Sequence, residues 1–229
     1  MQTHNSQLRE SRAPGWHSQN GRSVLETLIV ITIGAIIVSA SVPQLLKARR
    51  LIRSTTLSRE VVNQLRVARQ QALSQRQAVT FQYNDATKSI AIFDHNNTNN
   101  SNSACNMTGP SVLSASGYPN TSCTTTILTV PLTGSVVPPA DLTYGVPSGI
   151  TNTTLADTTT PTLLSGGVIN ITFQSDGSVV DATGNYVNRA MFLYNNQIPN
   201  ETATAISILG ASGRVKLWRY SASASQFTE

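Results

Sequence analysis

The chain has 229 residues, room for one ordinary domain and additional segments. Aromatics make up 6% of it while Ser, Thr and Asn abound, a balance that suits an exported β-rich domain with long polar loops. The net charge of +5 is local: residues 47–76 hold eight Lys/Arg and one Glu, whereas residues 77–229 hold five Lys/Arg and eight Asp/Glu, so the bulk of the chain does not read as a basic nucleic-acid-binding domain.

Residues 1–21 are polar, contain Pro14 and Gly15, and show no periodicity. They read as a leader, outside the fold, without the apolar core of an ordinary secretory signal peptide. From Thr27 to Leu46 there is no charged residue. A helix of that span is about 30 Å long, the hydrocarbon thickness of a bilayer. Glu26 stands at the start of the run, where a carboxylate needs a partner or water. Gly34, Ala35, Ser39, Ala40 and Ser41 are small and permit close helix packing. Pro43 is expected to end or bend the segment, since it lacks an amide hydrogen. By themselves these features also fit an uncleaved single-pass signal anchor.

Residues 44–77 contain no further Pro and no Gly and are rich in Leu, Ala, Arg and Gln, so the helix is expected to continue. Val61, Leu65, Ala68 and Ala72 fall on one face. Arg59, Arg66, Arg69 and Arg76 fall largely off it and read as a solvated face. Lys47, Arg49, Arg50 and Arg53 read either as part of that face or as contacts to lipid headgroups or acidic neighbours, although a basic cluster ordinarily marks the cytoplasmic side.

Residues 78–93 alternate as two strands around Asn84-Asp85, a hairpin pattern. Residues 94–125 are dense in Asn, Ser and Thr and read as a long surface loop; residues 147–166 read as a second, Thr-rich one. Short strands are expected in 126–132 and 135–146. Strands are also expected at 168–173, 178–181, 189–194, 203–209 and 214–220, separated by turns at Ser175-Asp176-Gly177, Thr183-Gly184-Asn185 and Ala211-Ser212-Gly213. The last strand places Val215, Leu217 and Trp218 against a core and leaves Arg214, Lys216 and Arg219 wet, with a fraying tail from Ser221. The predicted fold class is α+β: a long N-terminal helix packed on an antiparallel sheet head.

Cys105 and Cys123 lie in the first polar loop. In an exported chain such a pair reads as one disulfide; two free thiols or half a metal site are the alternatives. His4 and His17 fall in the leader and His95 stands apart, so no zinc set is completed. No Gly-rich phosphate loop and no nucleophile–histidine arrangement is evident, and the chain is expected to be no enzyme and to carry no cofactor or metal.

Gly21-Arg22-Ser23-Val24-Leu25-Glu26, the apolar run and Pro43 together resemble the type IV prepilin class. The resemblance implies cleavage by a prepilin peptidase between Gly21 and Arg22 and methylation of the new amino terminus at Arg22, where the class usually has Phe. It further implies pairing of Glu26 with the amine of a neighbouring subunit and a helix bend at Pro43. Its domain plan is a leader over 1–21, a transmembrane or filament-core helix over 22–46, an amphipathic continuation over 47–77, and an exported head over 78–229. The stretches Leu65 to Leu73, Ile171 to Gly177 and Ser212 to Val215 narrow the likeness to the GspH/FimT group, minor pseudopilins of type II secretion and minor type IV pilins. The implied partners are other pilin or pseudopilin subunits, the peptidase and the inner membrane, with the head in the periplasm or on the cell surface. Some members of the FimT side take part in DNA uptake and share a Gly-Arg-x-Arg element. Here that element reads Gly213-Arg214-Val215-Lys216, with Arg219 beyond it. Arg214 and Lys216 share a strand face and could meet phosphates; a solvated strand face is the plainer alternative.

Overall fold

The computed structural model describes residues 24–95, 125–134, 138–181 and 183–229. Gly21 and Arg22, and both Cys105 and Cys123, lie outside the described residues. The chain divides into two compact units, Met1–Gln44 and Leu45–Glu229.

Helix α1 runs Val24–Gln75 and carries Pro43 inside it, so the helix continues through that residue and does not end there. In the first unit its apolar run is unburied; Val24 is 84% exposed and Ile31 66%. Thr32, Ser39 and Ser41 turn their hydroxyls onto carbonyls of the preceding turn (Leu28, Ile36 and Ile37), which satisfies them within the helix. At its far end Arg76 takes a left-handed φ of 55°, and the Gln77 amide donates to Ala72 O at 3.2 Å. That closure stops the helix at Gln75, two residues before the sequence expectation.

In the second unit α1 covers two antiparallel sheets. The strands are β1 (Val79–Asn84), β2 (Ser89–Asp94), β3 (Thr125–Pro131), β4 (Leu142–Tyr144), β5 (Val168–Phe173), β6 (Val179–Val180), β7 (Arg189–Asn195), β8 (Thr204–Leu209), β9 (Arg214–Ser221) and β10 (Gln226–Thr228). A 3-10 turn (Pro139–Asp141) precedes β4, and a one-turn helix α2 (Pro199–Thr202) joins β7 to β8. The first sheet has the order β3-β2-β1-β5-β6 and the second β10-β9-β8-β7-β4.

The main core lies where α1 meets both sheets. Val61, Leu65, Ala68 and Ala72, the face picked out by spacing, are fully buried. They pack with Phe81, Ile92 and Phe173 of the first sheet and Met191, Ile206 and Ile208 of the second. Truncating a residue such as Leu65 to Ala in this setting costs about 2–5 kcal/mol. The second sheet is buried on its other face as well. There Phe192, Ala205, Trp218 and Phe227 form a separate cluster with Ile150 and Leu155.

That second cluster corrects two expectations. Segment 147–166 is irregular but is a packed cover: Ile150 and Leu155 are buried, and the Ser207 hydroxyl donates to Asp157 Oδ2 at 2.6 Å while accepting from Trp218 Nε1 at 2.8 Å. Its apolar residues are too sparse to show a period. The tail likewise does not fray: β10 pairs with β9 in the register Phe227↔Tyr220, and Phe227 meets Phe192 edge-on with ring centroids 5.2 Å apart. One buried aromatic ring outweighs the small polar residues around it. Of segment 135–146, the described strand is β4 alone, three residues long.

Candidate groove between the helix and two turns

The three stretches that carry the likeness to the GspH/FimT group converge. Arg66, Arg69, Gln70 and Leu73 recur along one side of α1, beside its buried face. Opposite them the β8–β9 turn supplies Ser212, Gly213, Arg214 and Val215, and Glu229 closes the side. Together they line an open groove of about 790 Å³.

Two tight turns meet under Arg69 at its edge. In the β5–β6 turn, Asp176 Oδ1 accepts from the Ser178 amide at 2.9 Å and its hydroxyl at 2.6 Å, and Gly177 takes a φ of +77°. The Ser178 hydroxyl, then its amide, hold the Asp176 carboxyl below its usual value. In the β8–β9 turn, Gly213 takes a φ of +59° and its amide donates to Leu209 O at 2.7 Å. The Val179 amide reaches Gly210 O at 2.7 Å, joining β6 to the turn of the other sheet. Arg69 clamps both: its Nε donates to Gly177 O at 3.3 Å and its Nη2 to Ser212 O at 2.9 Å. Arg69 is therefore a structural fork between two sheets, not only part of a solvated face. Its contribution was missed because spacing places it just off the apolar stripe without showing what stands opposite.

Arg214 is exposed on this groove. Lys216 shares its strand face but is not wet as expected: its ammonium pairs with Glu229 Oε2 at 2.7 Å and lies 5.0 Å from the Trp218 ring centroid. Strand alternation turns Arg219 to the opposite side from Arg214 and Lys216. The structure thus sets Arg214 beside Arg66 and Arg69, and leaves Arg219 apart from them.

Glu26 lies in the exposed first turn of α1. His95 is buried at the end of β2, with Thr80 Oγ1 2.6 Å from its Nε2 and Thr172 Oγ1 2.8 Å from Thr80 Oγ1. Burial lowers its pKa to about 4 against the opposing pull of Asp94. This is a buried polar ladder from His95 at the end of β2 across β1 to β5. Among the described residues no group of three or more His, Cys, Asp or Glu could hold a metal ion.

No protein-family model matches the chain, and no curated protein matches it. Two crystal structures of the type IV minor pilin FimU of Pseudomonas aeruginosa strain PAO1, in space groups P21 and P65, are similar to it. Each is 17% identical with a TM-score of 0.41, over 76% of this chain and 92% and 97% of that chain respectively.

Proposed function

We propose that the chain is a pilin-like subunit, a minor pilin of a type IV pilus or a minor pseudopilin of a type II secretion system, anchored by α1 before assembly. The observation that carries this reading is the apolar run of α1: an 18-residue window with mean hydropathy 2.2, none of it buried, entered through one acid, Glu26. So large an apolar surface requires lipid or neighbouring helices around it. A plain anchor accounts for the run but not for Glu26 at the start of it. In a fibre, the amine of a neighbour freed at Arg22 by cleavage after Gly21 compensates Glu26 where water is scarce. The test is Glu26→Ala in cells. The variant is expected to reach the membrane but to be depleted from sheared filaments; undiminished incorporation rejects the assembly role.

A second reading, a subunit that contacts DNA, is favoured by one observation: Arg214 stands in a groove with Arg66 and Arg69. Lys216 enters this reading already paired with Glu229, which lowers its part in it. Binding of this kind is indifferent to sequence and falls steeply with salt. The full chain in micelles is expected to retard duplex DNA at low salt and Arg214→Ala to abolish the shift. A shift retained in full by Arg214→Ala/Lys216→Ala rejects this reading.

A further inference from the structure

The basic cluster that follows the apolar run is not used by the groove. Lys47 is tied to the head: its ammonium lies 2.7 Å from Glu201 on α2. Arg49, Arg50 and Arg53 occur in no salt bridge among the described residues. On α1, Arg49 and Arg53 are one turn apart, with Arg50 beside them, so the three residues fall on one side of the helix, Arg53 also lining a small cavity with Asp141. Arg49 is exposed; Arg50 and Arg53 are half-buried. Exposed Leu45, Leu46 and Ile52 flank them, with Leu45 and Leu46 a turn before Arg49 and Arg50.

Exposed leucines a turn below one exposed and two half-buried arginines match the two zones of a bilayer surface, acyl chain and phosphate. An arginine stem lies along apolar surface while its head reaches the phosphate in a bidentate contact. The pilin-like reading puts this basic cluster on the exported side, against the usual charge bias of membrane helices, so that bias does not account for it.

We propose that Arg49, Arg50 and Arg53 form a collar that binds the phosphate groups of anionic phospholipids. The collar seats the subunit at a defined depth before it is drawn into a fibre. It rests on the reading of α1 as a membrane anchor.

The test uses the full chain reconstituted in vesicles of phosphatidylglycerol and phosphatidylethanolamine in equal parts. Flotation establishes insertion, and native mass spectrometry measures the lipid retained. Wild type is expected to retain phosphatidylglycerol at least about threefold over its bulk share, an enrichment sensitive to salt. Arg49→Gln/Arg50→Gln, which leaves Arg53 in its cavity beside Asp141, is expected to lose most of it, and the triple variant with Arg53→Gln all of it. Lys47→Gln is expected to change nothing, since that charge already has a partner. Added inorganic phosphate is expected not to compete, because a free ion lacks the apolar zone. A chain that does not float overturns the proposal together with the anchor. Insertion with lipid in its bulk ratio overturns the collar alone. An equal loss on Lys47→Gln overturns it in favour of diffuse surface charge, and enrichment intact in the triple variant, with filament incorporation lost, assigns the arginines to an acidic neighbouring subunit instead.

Discussion

Gly213 lies against the carbonyl of Gly177: a Cβ placed on Gly213 would stand 1.8 Å from Gly177 O and 2.7 Å from Arg69 Nε. The first contact is with backbone, so no side chain can turn away to make room. The left-handed φ at Gly213 adds strain for any other residue. Gly213→Ala is therefore expected to separate the two turns and lower stability by about 2–4 kcal/mol. Urea unfolding of the detergent-solubilised chain measures it. A cost under about 0.5 kcal/mol means that the turns do not meet this closely.

Arg69 is the clamp over that contact. Arg69→Ala removes two hydrogen bonds from a charged donor in a partly exposed place, an expected cost of about 1–2 kcal/mol. Arg69→Lys is expected to recover less than half of it, because one ammonium does not reproduce a fork spanning two carbonyls. Full rescue by Lys indicates that only the charge matters.

His95 makes stability depend on pH. Its folded pKa, about 4, lies below its ordinary 6.5, so between those values the unfolded chain binds the extra proton. Stability is then present in full above about pH 6.5 and lost as pH falls toward 4, on the order of 2–3 kcal/mol in all. Asp176 and Asp181 act in a lower window, since their depressed pKa values matter only as pH falls below 3.8. The midpoint of urea unfolding between pH 7 and 4 is expected to fall in wild type and to flatten in His95→Gln. An unchanged slope in that variant assigns the dependence elsewhere.

Arg76 ends α1 in a left-handed conformation that glycine adopts without strain. Arg76→Gly is expected to raise stability by about 0.5–1 kcal/mol, read as a melting temperature higher by about 1–4 °C. A lower melting temperature shows that the Arg76 side chain makes a contact worth more than the strain.

Much of this architecture is legible in the sequence because it rests on short-range periodicity. Val61, Leu65, Ala68 and Ala72 announce the buried side of α1, and the alternation of 168–173 announces a strand. What is not legible depends on partners distant in the chain. Phe227 anchors β10 only because Phe192 stands opposite, and Asp157 holds its segment only through Ser207. Lys216 looks wet by alternation, yet Glu229 and Trp218 claim it. The groove is an intermediate case: Leu65 to Leu73, Gly177 and Ser212 to Val215 are each visible as stretches, while their meeting under Arg69 belongs to the fold.

The central claim is that the chain is a processed pilin-like subunit, and the intact mass of the protein taken from its native membrane tests it most directly. The expected mass is that of a chain beginning at Arg22 and bearing one methyl group, with Gly21→Leu blocking the conversion. A mature protein that still carries residues 1–21 contradicts the claim and leaves a plain membrane anchor.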